Sequence, residues 1–139
     1  MMERTLLNIK PDAVEKNLIG GIIQRVEKKG YRIVAIDRLR LTRQEAEAFY
    51  EVHRGKPFFN QLVDLMSSGP CVPIVVEGEN AIRGIRELVG MTDPAQAADG
   101  TIRKDFAESI TRNIVHASDG PETAKGEIGF FFSRRRLLR

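Results

Sequence analysis

The chain has 139 residues and a mass of 15.6 kDa, enough for one domain with a real core. Its 42% hydrophobic and 29% charged content is that of a globular protein, and no early apolar run is long enough for a signal peptide or a membrane span, so a cytoplasmic protein without a membrane partner is expected. Lysine and arginine exceed aspartate and glutamate by 22 to 19, a net charge of +3 that suits a small anionic ligand and does not require nucleic acid.

In chain order, residues 4–9 form a short apolar run that Pro11 ends, which leaves the Lys10 ammonium group at a strand end. Residues 20–29 come next as an amphipathic helix, with Ile22, Ile23 and Val26 on one face and Gly30 as its stop. Residues 31–41 alternate in part and predict a strand. Thr42-Arg43-Gln44-Glu45 has the capping-box form and opens a helix reaching about Tyr50. His53-Arg54-Gly55-Lys56 breaks it, and His53 reads as a surface or loop residue. Pro57 starts the next helix, whose apolar stripes run to Ser68 before Gly69-Pro70 ends it.

Cys71 opens the nearly continuous apolar run 71–76, which predicts a buried central strand. As the only cysteine it excludes an internal disulfide and argues against a thiolate metal site, so it reads as a small core residue. Residues 79–89 predict a short helix ending at Gly90. Residues 91–105 are polar with little periodicity, a loop long enough to have a functional task. A last strand is expected over 110–115 and a last long helix over 122–132. Arg134, Arg135, Arg136 and Arg139 make the terminus 133–139 a short basic tail, expected to be solvated. Four strands separated by helices predict one α/β sandwich spanning 1–139. A split β-α-β unit of the ferredoxin-like kind fits as well as a parallel sheet does.

The chemistry gathers at residues 113–122. His116 comes after two β-branched residues, and the spacing of Asp119 and Glu122, with Pro121 between them, predicts a helix N-terminus just beyond it. A strand end meeting a helix start is a good phosphate site, and a neutral imidazole beside a phosphate is a possible phosphoryl acceptor. No glycine-rich phosphate loop is present, so side-chain cations would have to neutralise the phosphates. Lys10, Arg86 and Arg103 lie where they could converge, or could be ordinary surface cations. Glu127 lies beside the apolar stripe of Ala124, Ile128 and Phe131. It is placed either to orient the His116 ring, directly or with Ser118, or to reach solvent.

The motif Asn113-Ile114-Val115-His116-Ala117-Ser118-Asp119 does not stand alone. With it come Ile9-Lys10-Pro11-Asp12, Lys56-Pro57-Phe58-Phe59, Ser68-Gly69-Pro70, Glu77-Gly78-Glu79-Asn80-Ala81 and Gly100-Thr101-Ile102-Arg103. Together, in order and spacing over nearly the whole chain, they resemble the nucleoside diphosphate kinase family.

The resemblance implies a ferredoxin-like α+β sandwich with a four-stranded antiparallel sheet covered by helices. It implies a ping-pong transfer of the γ-phosphoryl group of a nucleoside triphosphate such as ATP, through a phosphohistidine at His116, to a nucleoside diphosphate. Ser118 and Glu127 match the groups that orient the histidine. Lys10, Tyr50, Arg86, Thr92, Arg103 and Asn113 match phosphate and sugar contacts, and Phe58 the aromatic under the base. Magnesium is expected on the nucleotide phosphates, with Asp119 as a water-mediated neighbour and no direct protein ligand. A homo-oligomer, tetramer or hexamer built from dimers, is also implied. Ala117, Lys56 and Gly120-Pro121 depart from the commoner family residues, none at a phosphate contact.

Two other classes compete. A ferredoxin-like sheet could bind RNA, but seven Phe and two Tyr without a paired strand pattern fit that poorly. A structural oligomer that had lost its chemistry would not be expected to retain the residues that match the family's site.

Overall fold

The computed structural model describes residues 1–138. Among these residues five strands and eight α-helices occur in the order β1 (Met2–Ile9), α1 (Pro11–Glu15), α2 (Ile19–Lys28), β2 (Arg32–Ile36), β3 (Leu39–Arg40), α3 (Arg43–Phe49), α4 (Phe59–Ser67), β4 (Pro70–Glu79), α5 (Ala81–Val89), α6 (Ile102–Phe106), β5 (Val115–Ala117), α7 (Pro121–Phe131) and α8 (Arg134–Leu137), with a 3-10 turn at Glu51–His53 after α3. The sheet runs β2-β4-β1-β5, antiparallel at every pairing, and β3 adds a two-residue pairing to β4. This is the ferredoxin-like arrangement, and it removes the parallel alternative. β1 and β4 are its inner strands, which is why their sequences read as unbroken apolar runs.

Strand alternation divides the core between two faces. Leu7, Ile9, Ile74 and Val76 pack under α2 and α5, against Ile22, Val26 and Ile85. Leu6 and Val75 point the other way, to Ile128 and Phe132. Cys71 is fully buried on that second side among Leu41, Val63 and Met66, as its apolar setting predicted. A slot between β4 and α5 holds Tyr31: a Cβ on Gly84 would collide with its hydroxyl oxygen, and one on Gly78 would stand 2.5 Å from its ring.

Helix starts obey local chemistry. The capping box at Thr42 is complete, its hydroxyl accepting from Glu45 N–H and Glu45 accepting from Thr42 N–H. At α7 the cap is shifted by one residue from the expected place. Gly120 is the N-cap, its N–H donating to Thr123 Oγ1 at 2.9 Å, while Asp119 accepts from the same hydroxyl at 2.6 Å. Glu122 takes no part in these bonds.

Four expectations need correction. The strand over 31–41 is split into β2 and β3 at Asp37-Arg38. The loop over 91–105 leads into α6, started by Thr101, whose hydroxyl accepts from Lys104 N–H. The last strand is not 110–115 but Val115–Ala117, because the backbone turns sharply at Ile114 before pairing with β1. The basic terminus is not a free tail: Ser133 caps α8, Arg136 donates to the Ile36 carbonyl at 2.7 Å, and Arg4 donates to the Leu137 carbonyl at 2.8 Å. Arg139 lies outside the described residues.

Candidate active site

β5 carries His116 in mid-strand, opposite Asn8 of β1, so its imidazole leaves the sheet on the side covered by α7. From α7, Glu127 reaches back: its Oε2 lies 2.9 Å from His116 Nε2, and its Oε1 accepts from Ser118 Oγ at 2.5 Å. A carboxylate has only acceptors, so Nε2 is the donor in this contact, and in the neutral ring the lone pair is on Nδ1. Glu127 thus meets both His116 and Ser118 instead of reaching into solvent, its side chain being 19% exposed. Phe49 and Tyr50, at the end of α3, meet the imidazole edge to face at 5.2 and 5.9 Å between ring centres, leaving it little freedom to turn.

His116 stands in a cavity of roughly 410 Å³ whose wall includes every other residue that the family resemblance picked out, apart from Ser118. Lys10 is buried at the end of β1, donating to Asn113 Oδ1 at 2.6 Å and to the Thr111 carbonyl at 2.8 Å. Asn113 in turn donates to the Thr92 carbonyl at 3.3 Å. Arg103, on α6, spreads its fork over the carbonyls of Asn113, Gly90 and Val115. Gly90 can offer that carbonyl because its φ of +93° turns the chain out of α5. Arg86, near the end of α5, donates to the Ala117 carbonyl at 3.1 Å. Among the described residues none of these three cations pairs with a carboxylate, and they outnumber the carboxylates of the wall, Asp119 and Glu127, so the wall is net electropositive. Ser118 is buried behind the cavity and acts on it through Glu127.

Burial shapes the ionisation here. It pushes the Lys10 ammonium down to about 8, with Arg103 and Arg112 adding to the effect and Asp12 opposing it. Arg103 is lowered to about 10 by burial and by the nearby Arg86, and so stays charged at neutral pH. Burial raises the Tyr50 hydroxyl well above its usual value, which keeps it a neutral donor. That hydroxyl has no protein partner among the described residues.

The Lys10 shift has a measurable consequence. Unfolded, the lysine holds its proton to about pH 10.5; folded, it releases it near 8. Between these values the unfolded chain binds more protons, so stability rises with pH, by at most about 3 kcal/mol. In urea titrations the chain should gain stability from pH 8 to pH 10 relative to Lys10→Met. Parallel profiles for the two would refute this.

The mouth of the cavity is apolar. Phe58 and Ile110 are 42% and 58% exposed, too much for core residues of their size. His53, expected on the surface, is half-buried in this wall, with its ring 5.2 Å from Phe58 and stacked on Tyr50. Burial lowers its pKa, helped by the Lys56 charge. Phe49, His53 and Ile110 escaped the sequence reading. Only the distance from Tyr50 to Phe58 hinted that residues between them shared one wall.

A ferredoxin-like sheet whose cleft gathers a carboxylate-held imidazole, two guanidinium groups and an ammonium group has the composition of a phosphoryl-transfer site. Comparison with known proteins agrees. The family model described as nucleoside diphosphate kinase matches residues 3–137. Two relatives with that name, from a Nitratiruptor species and from Chlorobium limicola, are 58% and 54% identical over 99% of this chain and cover 100% and 99% of their own lengths. The Aquifex aeolicus nucleoside diphosphate kinase structure superposes with a TM-score of 0.95 at 46% identity, over 98% of this chain and 99% of that one. A halophilic nucleoside diphosphate kinase from Halobacterium salinarum, solved in complex with CDP, gives 0.95 at 39% identity, over 100% and 93%. The chain belongs to the nucleoside diphosphate kinase family. It is accordingly a phosphotransferase that works on nucleotides.

Proposed function

We propose that His116 is the phosphoryl carrier of a ping-pong nucleoside diphosphate kinase reaction. The observation that supports this most is the Glu127 carboxylate holding His116 Nε2 at 2.9 Å at the wall of an electropositive cavity. In the first half-reaction the Nδ1 lone pair attacks the γ-phosphorus of a nucleoside triphosphate. The bond from that phosphorus to the bridging oxygen breaks, and the diphosphate leaves with the electron pair. In the second, a terminal oxygen of another nucleoside diphosphate attacks the phosphohistidine, and the Nδ1 lone pair is restored. Glu127 and Ser118 keep the ring aligned and stabilise the proton on Nε2. Little covalent help is needed, since positioning and charge neutralisation dominate phosphoryl transfer.

Lys10, Arg86 and Arg103 neutralise the phosphates in this reading, Tyr50 and Thr92 donate hydroxyl bonds, and Asn113 with Lys10 meets the sugar. Their bonds to backbone carbonyls in the free protein pre-organise the cations. Phe58 stacks on the base, a contact available to every base, so specificity is broad in base and sugar. Turnover ratios of several orders of magnitude between bases would count against that. Among the described residues no three His, Cys, Asp or Glu side chains could hold a metal ion together. In this reading magnesium is carried on the nucleotide phosphates, where it would screen their charge, with Asp119 at the cavity wall as a water-mediated contact.

The whole chain working as one domain, in a homo-oligomer of dimers (tetramer or hexamer), belongs to the same proposal. So does a cytoplasmic setting, which the free buried thiol of Cys71 suits. Among the described residues no helix is long and apolar enough to cross a membrane.

Intact-mass analysis after brief exposure to ATP and magnesium, held at alkaline pH because phosphoramidates are acid-labile, tests the reading. One added phosphoryl group, discharged by GDP, is expected. An unlabelled protein that still binds nucleotide would sink it in favour of a binding module.

A further inference from the structure

Three non-glycine residues among those described have positive φ. Two are asparagines, which tolerate it; the third is Ile114, at +79° and fully buried. Val115 N–H donates to the Asn113 carbonyl at 2.9 Å, closing a γ-turn about Ile114, a conformation that is rare and strained for a β-branched residue. Something must hold it there.

On one side, Lys10 N–H donates to the Ile114 carbonyl at 2.9 Å. On the other, Ile114 N–H donates to Asp12 Oδ2, also at 2.9 Å. Asp12 is fully buried in the first turn of α1, and its second carboxylate oxygen has no partner among the described residues. Burying a carboxyl group this way is costly, and the one side-chain hydrogen bond it makes among the described residues is to the strained peptide.

The turn sets the register of β5. It separates Asn113, whose amide meets Lys10 and Thr92, from that strand, which begins one residue later with Val115 opposite Ile9 and His116 opposite Asn8. Because side chains alternate along a strand, a slip of one residue would turn the imidazole away from Glu127 into the face of Leu7 and Ile9.

We propose that Asp12 is a positioning residue for phosphoryl transfer: it clamps the Ile114 turn and thereby aims Asn113 and His116. This rests on the reading of His116 as the phosphoryl acceptor. Asp12 does not line the cavity, so its influence passes through the backbone of 113–116.

The test compares Asp12→Ala, Asp12→Glu and Asp12→Asn in the full chain, at a temperature well below each unfolding midpoint. Asp12→Ala should form the phosphoenzyme roughly 10- to 100-fold more slowly at saturating ATP, with hydrogen exchange over 110–117 accelerated. Asp12→Glu keeps the charge but displaces the acceptor by a methylene, and should lose about tenfold; it reads the same effect if the alanine variant does not fold. Asp12→Asn keeps an oxygen for Ile114 N–H and should stay within about threefold of the parent rate. A lowered unfolding midpoint with the saturated rate and the 110–117 exchange unchanged in the alanine and glutamate variants would overturn the proposal. If the parent protein itself takes no phosphoryl group, the His116 reading fails and this proposal with it. A labelled parent with equally fast variants rejects the clamp alone.

Discussion

His116→Ala is expected to abolish phosphoenzyme formation and to lower turnover by about 10³-fold or more, while nucleotide affinity changes by no more than about threefold. The two effects separate if His116 alone carries the phosphoryl group, as proposed. Tyr50 is neutral and held so by burial, and His53 stands at the apolar wall without a carboxylate to orient it. The cations proposed to neutralise the phosphates are bonded to backbone carbonyls rather than to the imidazole, so they should stay in place when it is gone. The fold should survive as well: β5 is tied to β1 through Leu7, Asn8 and Ile9, and His116 is itself 24% exposed. Steady-state kinetics with ATP and a diphosphate acceptor, beside calorimetric nucleotide binding, make the comparison. A variant retaining more than a few per cent of the parent turnover would show that the phosphoryl group takes another route.

Arg103→Ala should be the most damaging change among the cations, because it removes structure and charge together. The side chain is 7% exposed and its fork serves three carbonyls: Val115 at 2.8 Å, Gly90 at 3.1 Å and Asn113 at 3.3 Å. Truncation strips those carbonyls of this donor in a buried place, a loss of about 2–4 kcal/mol. It also removes a guanidinium from the phosphate wall, for about a further 10²-fold in kcat/KM. Arg103→Lys should recover part of the kinetic loss and little of the stability, since an ammonium group is a point charge that cannot span the three acceptors. Urea unfolding and kcat/KM on all three proteins decide this. An alanine variant as stable as the parent would mean that water replaces the guanidinium without penalty.

Much of the site was legible because its residues sit at ends of elements that sequence pattern marks well. Lys10 stands before a proline that stops a strand, Tyr50 closes a capped helix, and Arg86 lies in the last turn before a glycine. The eleven-residue spacing from His116 to Glu127 is a strand, a turn and the first part of a helix, which brings the carboxylate back over the imidazole. What failed had local causes in some places and distant contacts in others. Residues 110–113 have strand-like composition in part, yet the chain there is held by Ser109 and Glu108 against Arg112 and does not pair. Thr101 lacks a glutamate three residues on, so the start of α6 carried only half of a capping signal. The arginine run is exposed, as its charge suggested, but Arg136 bonds the Ile36 carbonyl of β2 and Arg4 bonds the Leu137 carbonyl just beyond the run.

The sequence by itself determined the chemistry available to this protein. It supplied one histidine with a carboxylate at the right remove, cations at strand and helix ends, and no glycine-rich loop to take their place. Tertiary structure decided which way those groups face. The γ-turn at Ile114 depends on Asp12, 102 residues earlier in the chain, and no local pattern encodes a bond of that span. A strand alternates strictly, so the residue at which pairing begins assigns every side chain after it to one face or the other. That choice, made by contacts between the two ends of the chain, is what turns His116 toward the cavity.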